Sequence, residues 1–286
     1  LAADHAVPTF THVAYMSRID PESAAEAYIR LIGYAGATGA HMHICHFNSS
    51  SKTDIERCVA LIAKAQAQGL PITVEAYPYG TGSTVLAATF FSDPKFEERN
   101  GLGYDSVQRV TDGHRFGSRE ELLAAQAAEP STLVLWHVLD IENNAHHRDL
   151  LDMAVLYPGG AIASDAMPWT LSDGRPYTGD AWPLPDDATS HPRSAGCFTR
   201  FIREWVRERK KVSLLEGIRK CALIPAEILS ASTPAMRAKG RLQAGADADI
   251  VAFDYETLSD RATFSAMNRP AEGVRHLVVS GQPLIN

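Results

Sequence analysis

Residues 41–77 read HMHICHFNSSSKTDIERCVALIAKAQAQGLPITVEAY, and their pattern decides the fold. The short run at 41–46 predicts a strand, and the apolar residues of 53–69 recur at helical spacing before stopping on Gly69. A second strand at 71–77 follows, rich in β-branched and aromatic residues. The unit is strand, helix, strand, with a connection long enough for a parallel crossover.

The same alternation extends in both directions. Upstream, VPTFTHVAY (7–15) predicts a strand, and a helix opens at Asp20-Pro21 and closes at Gly39. Downstream, the glycine-rich PYGTGST (78–84) reads as a turn leading into a helix. After a polar interval at 92–117 come a helix at 118–129, a strand at 131–138, a helix at 148–158 and a strand at 160–165. Five strands alternating with helices predict an α/β fold, a parallel sheet with helices on its faces. Residues 166–193 make a loop too long to be a plain connector. Helices are predicted at 197–210 and 214–230. Beyond 233 short alternating strands at 248–254 and 276–281 predict a small β unit, so the expected division is 1–232 and 233–286.

With 45% apolar residues among 286, the chain can bury a large core. Its net charge of −7, from 27 basic and 34 acidic residues without a basic run, argues against nucleic acid and for a small-molecule partner. No apolar run approaches the ~20 residues that span a bilayer, so no membrane partner is expected. Four cysteines without CxxC spacing fit free thiols and a cytoplasmic location. Composition leaves open whether the protein is a monomer or a homo-oligomer.

Strand parity sorts the histidines. His41 and His43 share one face, while His46 has the opposite parity and sits where the strand ends. Chemistry in α/β folds gathers at the carboxyl ends of strands, which places His46 at the mouth and His41 and His43 lower, as hydrogen-bonded strand residues. The plainer alternative for His46 is a loop histidine at a helix cap. Asp165 ends a strand of small and apolar residues, where an ionised carboxylate needs a metal or cation nearby; otherwise it caps a turn. Tyr77, Tyr79 and Ser83 lie on the next strand end and its glycine turn, a place suited to an anion. His191 and Arg193 sit in the long loop, where an arginine suits bidentate capture of a carboxylate or a structural ion pair. His12 and His137 close two other strands and remain candidates.

The segments HICHFN (43–48), VEAYPYGTGST (74–84), IASDAMPW (162–169), HPRSAGCFTRFIREWVRE (191–208) and KGRLQAGADADIVAFD (239–254) occur in that order. Together they resemble the later half of the D-aminoacylases, the N-acyl-D-amino-acid deacylases of the amidohydrolase superfamily, and especially the D-glutamate deacylase branch. The resemblance implies a TIM-type (β/α)8 barrel, represented by about strands 4 to 8, with a C-terminal piece of a small β-sandwich. It also implies zinc-dependent hydrolysis of the N-acyl amide of a D-amino acid.

Carried over by residue, His46 matches the family's strand-5 zinc histidine. Asp165 matches the strand-8 aspartate that touches the metal and acts as general base. Tyr77, Tyr79, Ser83, His191 and Arg193 would bind the amino-acid substrate and its carboxylate. Counting back from Asp165 puts His137 on strand 7, Tyr77 on strand 6, His46 on strand 5 and His12 on strand 4. On that count the strand-6 histidine has no counterpart and strand 4 offers no lysine. The HxH and metal cysteine of strands 1 and 2 are then expected before Leu1, in a longer parent chain. The competing expectation is a catalytically silent or carboxylate-binding domain that lacks a complete metal site.

Overall fold

The computed structural model describes residues 1–285. The chain begins with β1 (Thr9–Thr11), α1 (Ala24–Thr38), β2 (Met42–Ile44), α2 (Phe47–Ser51), α3 (Ile55–Ala67) and β3 (Ile72–Ala76). Helix α1 starts where the Ser23 side chain accepts a hydrogen bond from the Glu26 amide, and stops at Gly39, whose φ of +71° a side chain would resist. β4 (Thr81–Val85), α4 (Phe96–Asn100), β5 (Val107–Arg109), α5 (Arg119–Ala128) and β6 (Leu133–His137) follow, then α6 (Ala145–Val155) and β7 (Ala161–Ile162).

Strands β1, β2, β3 and β7 form one parallel sheet in that order. Period-2 alternation separates its faces. Met42, Ile44, Ile72 and Val74 join Tyr28 and Leu31 of α1 and Ile55, Cys58 and Ile62 of α3 in a single buried core. Phe10, His43 and Thr73, aligned across β1, β2 and β3, belong to the opposite face. Phe10 is 48% exposed there.

Two expectations fail at this level. Residues 131–138 were expected as a fifth member of the parallel series; instead β6 leaves it and pairs antiparallel with β4 and β5 in a separate sheet. The turn at 78–84 was expected to start a helix, yet Thr81–Val85 is a strand whose residues pair with 133–137. That ladder takes up one edge of the strand, and no helix N-terminus stands at Ser83 and Thr84. Trp136 explains the preference for this sheet: it stacks with Phe90 and Phe96 at ring-centroid distances of 5.0 and 5.6 Å and meets Phe91 at 5.6 Å. An aromatic cluster outside the parallel sheet wins over a place within it.

The long loop after β7 holds no helix or strand until α7 (Arg193–Phe201), which continues as π-helix over Ile202–Glu208. α8 (Leu214–Ile218) and α9 (Ile224–Leu229) are joined by a second π-helical turn at Arg219–Leu223. β8 (Ile250–Phe253), β9 (Val274–Val279) and β10 (Gln282–Ile285) form an antiparallel sheet with β9 in the middle. Leu258, between β8 and β9, is buried in the main core. All four cysteines are free, and among the described residues no helix is long and apolar enough to cross a membrane.

One buried cation holds the entry to β7. The Lys220 Nζ donates to the carbonyls of Tyr157 and Gly160 at 2.6 and 2.9 Å, and the side chain is 1% exposed. Burial pushes its pKa from 10.5 down to about 8. The unfolded chain then binds the proton more tightly than the folded one between those values, so this group's penalty is full below pH 8 and fades as pH rises to 10.5. Urea unfolding should show stability gaining up to about 3 kcal/mol from Lys220 across that window. The gain should vanish in Lys220→Met; an identical pH dependence in the variant would assign it elsewhere.

Candidate active site

All four parallel strands deliver their next residues to one end of the sheet. β1 is followed by His12, β2 by Cys45 and His46, β3 by Tyr77, and β7 leads through Ala163 and Ser164 to Asp165. His12, His46, Tyr77 and Asp165 line one cavity of about 320 Å³ with Met16, Ser49, Ser83, Phe90, Trp136 and Val138.

His12 Nδ1 lies 2.8 Å from His46 Nε2, with ring centroids 4.6 Å apart. Behind His46, Nδ1 meets the Ser50 and Ser49 hydroxyls at 2.9 and 3.2 Å. These contacts fix the ring and turn Nε2 toward the cavity. Burial lowers the pKa of His46 against the opposing pull of the Asp165 carboxylate, and the same pair of causes acts on His12, whose outer edge is open to solvent. Both rings are therefore disposed to be neutral, the state in which imidazole ligates a metal.

The backbone is strained at two of these positions. His46 has φ +45°, ψ +58°, and Asp165 has φ +48°, left-handed conformations that non-glycine residues adopt rarely. Such strain concentrates where a side chain must be aimed.

Arg193, 1% exposed at the start of α7, places Nη2 2.8 Å from an Asp165 oxygen and stacks its guanidinium over the Tyr77 ring at 4.4 Å. Its Nε and Nη1 have no hydrogen-bond partner, nor do the Tyr77 hydroxyl and the Trp136 indole N–H. Buried donors without partners are unusual and mark a place for an absent acceptor.

The residues singled out in the sequence thus divide. His46, Asp165, Tyr77 and Ser83 share the cavity. Arg193 stands behind it, engaged with Asp165. Ser83 Oγ donates to the Val134 carbonyl at 3.1 Å. Tyr79 lies elsewhere, lining a cavity of about 750 Å³ with His137, Arg200, Arg203 and Asp260. His191 is a correction: it is fully buried, with Nε2 at 3.0 Å from the Thr81 carbonyl and Nδ1 accepting from the Arg193 amide at 2.9 Å, so neither nitrogen is free for substrate. His137, also a candidate, is hydrogen-bonded on both nitrogens to Thr81 and Gln108, and burial lowers its pKa to about 4. His41 and His43 are hydrogen-bonded to Thr73 within the sheet. His12 is the residue that sequence reasoning undervalued. Its signal was present, since it ends β1 as His46 ends β2.

His12 Nδ1 and His46 Nε2 lie 2.8 Å apart and line one cavity with the Asp165 carboxylate, donor types that zinc takes. The residues fit.

Residues 47–285 match the model of the amidohydrolase family. An N-acyl-D-glutamate deacylase of Alcaligenes xylosoxydans xylosoxydans is 39% identical over 98 residues, 34% of this chain and 19% of that protein. A D-aminoacylase of the same organism is 34% identical over 222 residues, 74% of this chain and 38% of that protein. Among solved structures, an N-acyl-D-glutamate deacylase from Bordetella bronchiseptica, complexed with zinc and a phosphonate inhibitor that mimics the tetrahedral intermediate, superposes with a TM-score of 0.72 at 22% identity. That match covers 99% of this chain and 54% of the other. A D-aminoacylase structure gives a TM-score of 0.71 at 19% identity, covering 97% and 52%. At such identity the likeness is one of fold. The chain spans about half the length of these structures and a smaller share of the curated relatives.

Proposed function

The chain belongs to the amidohydrolase family, and from that premise we propose that it forms the later half of a zinc-dependent enzyme hydrolysing the N-acyl amide of a D-amino acid. The observation that carries this reading is the convergence of His12, His46 and Asp165 at one end of the parallel sheet. The sheet is then the later part of a TIM-type barrel, β8 to β10 are part of a β-sandwich, and the division falls near residue 232.

The departure of β6 alters the strand count. Counted back from β7 as strand 8, β3 becomes strand 7, β2 strand 6 and β1 strand 5. His46 moves to the strand-6 place and His12 takes the strand-5 place. The ligand that had no counterpart is His46 itself, and the set becomes His12, His46 and Asp165.

In this reading those three residues hold zinc, which when bound polarises the acyl carbonyl and acidifies a water. Asp165 takes the proton of the attacking water and hands it to the leaving amine. Arg193 holds Asp165 in its left-handed conformation through the 2.8 Å ion pair. The unpartnered Tyr77 hydroxyl and Trp136 N–H offer donors to the substrate's carboxylate or its developing oxyanion. Met16, Val85, Phe90 and Val138 form an apolar wall that excludes water from the reacting amide.

The test is elemental analysis of the full-length protein together with hydrolysis of N-acetyl-D-glutamate and of other N-acetyl-D-amino acids against their L-enantiomers. Zinc in stoichiometric amount and turnover of a D-enantiomer alone are expected. No bound metal and no turnover would leave the catalytically silent domain as the correct reading.

A further inference from the structure

We propose that His43, Cys45 and Glu75 form a second metal site, suited to a thiophilic dication such as zinc, on the sheet face opposite the helices. No part of this rests on the amide-hydrolase reading, and it shares no ligand with His12, His46 and Asp165.

The site follows from parity and register. His43 and Cys45 are two residues apart along β2 and so share a face, and the pairing of His43 with Thr73 and of Ile44 with Val74 brings Glu75 of β3 alongside Cys45. The His43 nitrogen, the Cys45 sulfur and a Glu75 oxygen all lie within 4.8 Å of one another. His43 Nε2 is 3.1 Å from Glu75 Oε2.

Outer contacts aim the imidazole. Thr73 Oγ1 lies 2.8 Å from His43 Nδ1, which fixes the ring plane and leaves Nε2 directed at Glu75. The same hydroxyl meets His41 Nε2 at 2.7 Å, so it donates to one ring and accepts from the other. A metal-ligating histidine ordinarily has such a partner on its second nitrogen.

The chemistry of the set is equally specific. A thiolate, a carboxylate and a neutral imidazole sum to −2 and neutralise a dication, and thiolate with imidazole selects zinc-like metals over magnesium or calcium. On binding, the Cys45 S–H bond breaks, a sulfur–metal bond forms, and the proton leaves to solvent. Three protein ligands leave a fourth position for water. His43 is 1% exposed and the Glu75 side chain 20%.

Cobalt(II) titration of the full-length protein, followed by absorption, tests the site. Expected is one equivalent of cobalt giving a thiolate-to-cobalt charge-transfer band in the His12→Asn/His46→Asn double variant, lost when Cys45→Ser is added to it. Thr73→Val should weaken cobalt binding at this site about 10–100-fold. No such band in the double variant, or a band there that survives the added Cys45→Ser, overturns the proposal. If Cys45→Ser does not fold, Glu75→Gln decides: cobalt affinity lowered at least about tenfold supports the site, and unchanged affinity sinks it.

Discussion

Asp165→Asn is expected to lower kcat/KM for an N-acetyl-D-amino acid by about 10²–10⁴-fold, the range that a positioned acid or base contributes. Asparagine is the right replacement because Asp165 sits at φ +48°, a region asparagine tolerates better than other side chains. The variant keeps the turn and the shape while removing the proton acceptor. It also leaves Arg193, 1% exposed, without the anion that faces it at 2.8 Å. Breaking a fully buried pair costs about 3–5 kcal/mol, and the cost here is smaller because the Asp165 side chain is 32% exposed. Thermal unfolding therefore accompanies the kinetics. If loss of stability were the cause, activity measured well below the new midpoint would recover to near the wild-type level. The proposed role requires the loss to persist there, and a variant within tenfold of wild type at that temperature would remove Asp165 from the chemistry.

The sequence carried the strand-end positions of His46 and Asp165, because both follow from where an apolar run stops. Parity likewise separated His46 from His41 and His43, which lie hydrogen-bonded lower in the sheet. Pairing was not legible. Residues 133–137 have the same apolar, β-branched texture whether they lie between parallel neighbours or in an antiparallel sheet, and texture records burial rather than partner. The stacking of Trp136 on Phe90 and Phe96, which draws β6 away, joins residues 40 and more positions apart. That single displacement shifted every strand number assigned upstream of β7, and with them the place of His12. His191 and Tyr79 lie outside the His46–Asp165 cavity for a related reason. Loop position does not record long-range packing: His191 bonds the Thr81 carbonyl and meets Phe264, and Tyr79 packs on Phe264 and Arg200.

His12→Asn and His46→Asn decide between the two strand counts. If β2 held strand 5 and β1 strand 4, His46 would be an essential ligand and His12 a neighbour, so His12→Asn would cost no more than a supporting contact, about 10–100-fold in metal affinity. With β6 outside the sheet, both histidines are ligands. Each variant should then reduce zinc at the His12–His46–Asp165 site from one equivalent to near none, and lower kcat/KM by more than about 10²-fold. His41→Asn is the control. Its Nε2 meets only the Thr73 hydroxyl at 2.7 Å, so it should cost about 1 kcal/mol of stability and leave zinc at this site intact. Asparagine again suits the backbone, since His46 lies at φ +45° and a loss there cannot be ascribed to strain. Zinc and activity retained in His12→Asn but lost in His46→Asn would restore the first count. Equal loss in both, with His41→Asn unaffected, requires the His12 and His46 imidazoles on one ion, an arrangement that the adjacent parallel strands β1 and β2 supply.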